Sequence, residues 1–133
     1  MINFISSNIR IRINLFDAAL KNKVPKIIWV SSSTVYQPFK KKISEKKINL
    51  NFNPYPDYLI TGNIYRFLEN ILNFYKSKGV DLCVVRTSSI YGPYDNFNPK
   101  KSHVIPALIK KIFDTKKNEI KIWGNPNVVR DFV

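Results

Sequence analysis

The apolar positions of this chain form helical stripes that alternate with short continuous runs. Apolar residues recur every three or four positions over 8–20 and over 58–75, which predicts two amphipathic helices. The inner face of the second helix is expected to carry Ile60, Ile64, Phe67, Leu68, Ile71 and Tyr75. A third helix is predicted to begin with Ser102 as its N-cap. Its inner face is expected to carry Val104, Leu108 and Ile112.

Short apolar runs lie between and after these helices and predict strands at Ile27–Val30, Asp81–Arg86 and Ile120–Trp123. Uninterrupted apolar strands are typical of parallel sheets, in which both faces are buried. The alternation of helix and strand therefore predicts an α/β fold with a mainly parallel sheet, forming one domain over residues 1–133. Ligands bind such sheets beyond the carboxyl ends of the strands. The chemistry is therefore expected in the loops at 31–36 and 87–93, whereas the polar stretch at 37–56 is predicted to be a plain loop.

Composition narrows the class of protein. Hydrophobic residues make up 44% of the chain, which is typical of a globular domain. The absence of a signal-peptide pattern and of a span-length apolar run, together with the single cysteine Cys83, predicts a cytoplasmic protein without disulfides. The 22 basic and 9 acidic residues give a net charge of +13, which favours nucleic-acid binding as an alternative. That alternative is the weaker one, because the dense run Lys40–Lys42 is not interleaved with the aromatic residues of a single-strand binding surface.

Four segments of the sequence are similar to motifs of a known protein family. They read V-S-S-S-T-V-Y-Q at 30–37, Y-G-P-Y-D-N-F at 91–97, S-H-V-I-P-A-L-I at 102–109 and I-W-G-N-P-N-V-V-R-D-F at 122–132. In this order they resemble the extended short-chain dehydrogenase/reductase, or NAD-dependent epimerase/dehydratase, family, and its GDP-L-fucose synthase-like members in particular. The resemblance implies a Rossmann-type, doubly wound parallel sheet that binds NAD(P) and acts on a nucleotide sugar.

The resemblance also implies roles for particular residues. The family's catalytic serine matches Ser32, which would hydrogen-bond the substrate carbonyl, and its catalytic tyrosine matches Tyr58, the general acid. The proton-transfer pair of fucose synthase-like members matches His103 and Thr34, where threonine replaces a cysteine and makes a poor base. Cofactor contacts are expected from Ser31, Tyr58 and Arg66.

Four further positions match residues that hold the nucleotide-sugar substrate. They are Ser89, Lys111, Trp123 and Arg130. A cation there would meet the diphosphate, and an aromatic edge would flank the base or ribose. Ser89 departs from the asparagine usual in the family. No metal site is expected.

Two departures limit what the chain is expected to do alone. Gly62 occupies the lysine position of the family's Y-x-x-x-K pattern, so the positive charge that lowers the pKa of a tyrosine from its ordinary value of about 10 is missing there. Arg66 is the nearest substitute. The four glycines are far apart, so no G-x-G-x-x-G loop exists within these residues.

The sequence therefore predicts a partial domain, without the glycine-loop half or the C-terminal part of the family fold. We expect it to be inactive alone and not to bind NAD(P) by itself. The expected partners are a separately encoded N-terminal half that completes it, or further copies of the chain in a homo-oligomer. A non-catalytic remnant is the other alternative. A sheet without its first strands is also expected to leave an apolar edge and an uncovered face.

Overall fold

A computed structural model describes residues 2–39, 43–116, 118–125 and 127–133. The lysine run Lys40–Lys42 lies outside the described residues. The chain forms two compact units, Met1–Thr87 and Ser88–Val133. Within the described ranges, no helix has both the length and the apolar character needed to cross a membrane.

The first unit alternates helix and strand as predicted. Its helices are α1 (Ile2–Lys21) and α2 (Leu59–Ser77), and its strands are β1 (Lys26–Ser32) and β2 (Asp81–Thr87). The two strands pair in parallel, in a register that runs from Lys26 opposite Asp81 to Ser32 opposite Thr87. The α/β class and the parallel sheet are therefore confirmed. The loop between β1 and α2 also contains short 3-10 turns at Ser33–Val35, Glu45–Lys47 and Pro56–Tyr58.

The core of this unit lies between the two helices and one face of the sheet. Its buried members are Phe16, Trp29, Leu68, Leu72, Tyr75, Val80 and Leu82. The Phe16 ring meets those of Trp29 and Tyr75 edge to face, with centroids 6.1 and 5.7 Å away. The Tyr75 hydroxyl donates a hydrogen bond to the Asp17 carboxylate, which satisfies the polar end of a buried ring.

The predicted inner face of α2 is partly wrong. Leu68 and Tyr75 are buried, but Ile60 and Phe67 remain 42% and 49% exposed. Leu72, which was not predicted to lie on the inner face, is buried. The buried residues of α2 also include Gly62 and Arg66, neither of which is a large apolar residue. Side-chain hydrophobicity alone could not mark those positions as buried.

The prediction that the strands are buried on both faces is also wrong. Trp29 and Leu82 point into the core, whereas Ile28 and Val30 of β1 are 64% and 54% exposed. Alternate residues of a strand point to opposite faces, and only one face has helices of this unit packed against it. The expected uncovered face is therefore present.

The described part of the second unit contains the helix α3 (Val104–Asp114). The expected N-cap is displaced by one residue, because His103 rather than Ser102 holds the extended cap conformation. The prediction of the inner face of α3 is also partly wrong. Val104 and Ile112 are 44% and 59% exposed, whereas Pro106 is fully buried. A helix covered on only one narrow side buries fewer positions than its apolar stripe offers.

The predicted strand at 120–123 is not formed. A strand needs a hydrogen-bonding neighbour, and the described part of this segment pairs with none. A parallel bridge forms instead between Ser89 and Phe132, supported by a hydrogen bond of 3.0 Å from the Tyr91 N–H to the Val133 carbonyl. This pairing was not predicted from the sequence.

Candidate active site

The carboxyl ends of β1 and β2 bring hydroxyl side chains to one edge of the sheet. Ser32 is the last residue of β1 and lies opposite Thr87. Its Oγ accepts hydrogen bonds from the Thr34 backbone N–H at 3.2 Å and from Thr34 Oγ1 at 3.0 Å, so it caps the 3-10 turn that follows. A hydroxyl has two acceptor sites and one proton. Both acceptor sites of Ser32 are thus used, and among the described residues no acceptor is recorded for its proton.

Thr34, which is predicted to stand in place of a catalytic cysteine, contacts Ser32 directly. Its hydroxyl is a hydrogen-bond partner of Ser32 Oγ, and its carbonyl is pressed against α2. These contacts give Thr34 a role in holding the loop in shape.

Tyr58, the predicted general acid, caps the N-terminus of α2. Its side chain is 46% exposed. Its backbone carbonyl accepts a hydrogen bond of 3.2 Å from Thr61 Oγ1, and its side chain makes no capping bond. The phenol is therefore held at the start of a long helix and is accessible from solvent.

Gly62 shows why the family's lysine has no room in this chain. A Cβ atom added to Gly62 would lie 2.7 and 2.8 Å from the Pro54 side chain, and closer still to the carbonyl oxygen of Thr34. Carbon atoms in favourable contact are about 3.5–4.0 Å apart. The missing side chain lets α2 approach the loop after β1, so the departure from Y-x-x-x-K has a packing consequence as well as an electrostatic one.

Arg66, the predicted substitute for that lysine, is buried and bonded to the backbone. Its Nε donates to the Val35 carbonyl at 2.6 Å, and one terminal nitrogen donates to the Phe52 carbonyl at 2.7 Å. Burial lowers the pKa of Arg66, and Glu69 acts against that shift. These bonds fasten α2 to two separate parts of the loop, while the predicted contact with a cofactor stays a prediction.

Ser31 also turns inward. It is buried, and its Oγ donates a hydrogen bond of 2.6 Å to Glu69. Two of the three side chains predicted to touch NAD(P), Ser31 and Arg66, are thus engaged inside the protein.

An ion pair that was not predicted from the sequence lies at this end of the sheet. Glu69 of α2 receives two hydrogen bonds from Arg86 of β2, at 2.9 and 2.7 Å, and both side chains are largely buried. Arg86 also lies over the Tyr36 ring, 5.3 Å from its centroid, and donates to the Tyr36 hydroxyl at 3.2 Å. The hydrogen bond to Glu69 is the main cause that raises the pKa of Arg86. An arginine directly after the apolar run Leu82–Val85 was the signal available in the sequence.

The ion pair borders a small cavity of about 270 Å³ in the first unit. The cavity is lined by Glu45, Glu69, Asn73, Val84 and Arg86. Two of its charged groups, Glu69 and Arg86, are paired with each other, and Arg86 also donates to the Glu45 backbone carbonyl at 3.2 Å.

The second unit brings together two of the predicted substrate contacts. Lys111 Nζ lies 5.0 Å from the centroid of the Trp123 ring and also donates to the Lys121 carbonyl. The Trp123 side chain is 82% exposed. A cation beside an accessible aromatic face has the chemistry to hold a phosphate and a base together.

The other predicted residues of this unit are less organised. His103 and Arg130 are exposed, and the His103 carbonyl accepts the Ala107 N–H at 3.0 Å as the first bond of α3. Ser89 contributes its backbone carbonyl to the bridge with the chain end, accepting from the Val133 N–H at 3.1 Å. The roles assigned to these three side chains remain predictions.

The fold and the hydroxyl groups at the strand ends define an α/β protein of Rossmann type. The model of the NAD dependent epimerase/dehydratase family matches residues 1–133, and the chain belongs to that family.

Among known proteins the chain is similar to GDP-L-fucose synthases. It is 30% identical over 138 residues to a probable GDP-L-fucose synthase 1 of Oryza sativa subsp. japonica, covering 98% of this chain and 42% of the relative. It is 29% identical over 140 residues to the GDP-L-fucose synthase of Escherichia coli (strain K12), with the same coverage of each. The chain thus spans about two fifths of the length of these relatives.

Solved structures show the same fold. A crystal structure of a GDP-L-fucose synthetase from Naegleria fowleri bound to NADP superposes with a TM-score of 0.78 at 23% identity, covering 95% of this chain and 43% of that one. A UDP-N-acetylglucosamine 4-epimerase from Methanobrevibacter ruminantium M1, in complex with UDP-N-acetylmuramic acid, gives a TM-score of 0.75 at 28% identity, covering 92% and 37%.

Proposed function

We propose that this chain provides the carbonyl-binding and nucleotide-binding groups of a GDP-L-fucose synthase-like, NAD(P)-dependent nucleotide-sugar epimerase/reductase. The main support for this proposal is the hydrogen bonding of Ser32. Its Oγ accepts two hydrogen bonds from Thr34, so its own proton can be donated to a substrate. A hydroxyl preset in this way suits a sugar carbonyl, whose oxygen gains negative charge during reduction. Tyr58, accessible at the start of α2, would deliver the proton.

We also propose that the 133 residues do not catalyse the reaction alone. Position 62 has no space for a cationic side chain, and Arg66 is bonded to backbone carbonyls. NAD(P) binding would therefore depend on parts of the protein beyond these groups. Two-step epimerisation is the less supported half of the activity, because Thr34 is a weak acid and its hydroxyl is bonded to Ser32.

Nucleotide binding is the part that the isolated chain should show. Trp123 is exposed beside Lys111, so a nucleoside diphosphate that binds there should quench its fluorescence. We expect saturable quenching by GDP, with a dissociation constant on the order of 1 mM for a site with few contacts. GDP-sugar should behave in the same way.

The matched control is the neighbouring lysine. Lys111→Met should weaken GDP binding about fivefold or more by removing a cation near phosphate. Lys110→Met should leave it unchanged, since Lys110 pairs with Asp114 at 2.9 Å. Equal effects of the two substitutions, or no saturable quenching, would contradict the nucleotide site.

Cofactor binding and turnover provide the second test. Calorimetry with NADPH should show no binding to the isolated chain, and no NADPH should be oxidised when a GDP-linked 4-keto sugar is added. A micromolar dissociation constant for NADPH would show that the isolated chain already holds the cofactor.

A further inference from the structure

Glu69 of α2 is connected to both ends of the turn that follows Ser32. Its Oε1 accepts a hydrogen bond of 2.6 Å from the hydroxyl of Ser31, the residue directly before Ser32. The same carboxylate accepts bonds of 2.9 and 2.7 Å from Arg86, which in turn donates to the Tyr36 hydroxyl at 3.2 Å. The 3-10 turn after Ser32 ends at Tyr36. One carboxylate therefore holds the residue before Ser32 and, through Arg86, the residue that closes the turn.

The hydrogen bonds to Glu69 are charge-assisted and partly shielded from water. The Glu69 side chain is 12% exposed, so water competes only weakly for its oxygens. Hydrogen bonds to an ionised group are roughly twice as strong as those between neutral groups. An ionised carboxylate only accepts, and the Ser31 hydroxyl and two nitrogens of Arg86 all donate to this one. A side chain without a carboxylate cannot hold Ser31 and Arg86 together in this way.

The direction of the Ser32 hydroxyl depends on how Ser31 is held. Neighbouring residues of a strand point to opposite faces, so a Ser31 side chain bonded to α2 directs the Ser32 side chain to the other face. From that position Ser32 Oγ accepts its two bonds from Thr34, at 3.2 and 3.0 Å. Ser31 is buried, and loss of its bond to Glu69 would leave its hydroxyl unsatisfied and loosen the start of the turn.

We propose that Glu69 is a positioning residue, which holds Ser32 in the geometry that lets it donate its proton to a substrate carbonyl. This inference rests on the function proposed above for Ser32. Glu69 acts through other side chains rather than on the substrate. It holds Ser31 at one end of the turn, and it holds Tyr36 at the other end through Arg86.

Hydrogen exchange of the Thr34 amide, followed by NMR, reports on this geometry because that N–H donates to Ser32 Oγ. Ser31→Ala removes one bond to Glu69 and leaves the ion pair with Arg86 in place. It should speed exchange of the Thr34 amide about tenfold, since a turn released at its start opens more often. Glu69→Leu combined with Arg86→Leu releases both ends and should speed exchange at least as much. Circular dichroism shows whether each variant is folded.

Global stability separates a positioning role from a purely structural one. Apolar residues in place of a largely buried ion pair restore stability that is lost when one partner alone is removed. In the double leucine variant the Thr34 amide should nevertheless exchange about tenfold faster than in the wild type. The matched control is Tyr75→Phe, which removes the hydrogen bond to Asp17 from the other end of α2. It lowers the stability of the same unit and should leave Thr34 exchange within about twofold of the wild type.

Three results would overturn the proposal. They are wild-type Thr34 exchange in Ser31→Ala, recovery of Thr34 protection together with stability in the double leucine variant, and equal acceleration in Tyr75→Phe. The measurement requires neither nucleotide nor cofactor. A failure of GDP to quench Trp123 would therefore count against the proposed function, whereas unchanged Thr34 exchange would count against the role of Glu69.

Discussion

Adding one methyl group at position 62 is the sharpest test of the packing between α2 and the loop after β1. In Gly62→Ala the new Cβ would lie 2.7 and 2.8 Å from two Pro54 atoms and closer to the Thr34 carbonyl oxygen. Favourable carbon contacts begin at about 3.5 Å, so the overlap with Pro54 is roughly 0.7–0.8 Å. A backbone carbonyl and a proline ring cannot rotate away, and either α2 or the loop must therefore shift.

Two opposing free energies decide the outcome. Replacing glycine with alanine inside a helix stabilises it by about 1 kcal/mol. Overpacking a rigid contact costs about 1–3 kcal/mol, and this contact belongs at the upper end because backbone atoms form one side of it. We therefore expect Gly62→Ala to lower the free energy of unfolding by about 1–2 kcal/mol. Gly62→Lys, which restores the family pattern, should lower it by at least as much.

Urea unfolding measures the change. In a Trp123→Phe background, the buried Trp29 becomes the only tryptophan, and its fluorescence reports on the first unit. The matched control is Asn63→Ala on the exposed side of the same helix, which should be neutral or stabilising by a few tenths of a kcal/mol. If Gly62→Ala is as stable as that control, the close approach of α2 is not what the glycine provides.

Three other substitutions probe neighbouring contacts. Glu69→Gln should lower the free energy of unfolding by about 3 kcal/mol because it leaves Arg86 largely buried without its partner, whereas Glu69→Leu combined with Arg86→Leu should recover at least half of that loss in the same urea assay. Arg66→Met should speed tryptic cleavage of the loop between β1 and α2 about tenfold, as measured by gel densitometry, because two hydrogen bonds to loop carbonyls are lost. Burial, with a hydrogen bond to a carboxylate, raises the pKa of Tyr75 from 10.0 to about 12. The neutral phenol therefore stabilises the folded protein fully below pH 10, and this contribution is lost as the pH rises through 12. The advantage of the wild type over Tyr75→Phe in unfolding free energy should thus shrink by about 1.4 kcal/mol between pH 9 and about pH 11, and an advantage independent of pH would contradict the shift.

The parts of the fold that sequence could predict are those fixed by local periodicity. Both strands of the first unit and its two helices follow from the spacing of apolar residues, and their bounds differ from the prediction by a few residues, with the largest extension at the start of α1. The burial of each face could not be predicted in this way. Ile28 and Trp29 are both large and apolar, yet only Trp29 is buried, because that depends on which neighbours lie above and below the sheet.

The candidate site was predicted by likeness of motif, and its geometry came from contacts between distant residues. Ser32 and Tyr58 lie where the motifs indicated, at the end of β1 and the start of α2. The pairing of Glu69 with Arg86 joins residues 17 apart on different elements, so no local spacing could reveal it. Gly62 was interpreted as a missing charge, while the structure adds that the position is closed by the loop.

The contacts of α2 with the loop and the sheet follow one helical stripe. Tyr58, Gly62, Arg66 and Glu69 are spaced by four, four and three residues, so they lie on the same side of the helix. Along this side the helix carries an accessible phenol, then a close backbone approach, then a clamp on two carbonyls and finally an ion pair to β2. Because these four residues are held by one helix, a substitution at one of them is expected to alter the contacts of the others. Glycine at position 62 thus gives this part of the stripe a packing role, and a lysine introduced there alone would meet the Pro54 side chain and the Thr34 carbonyl.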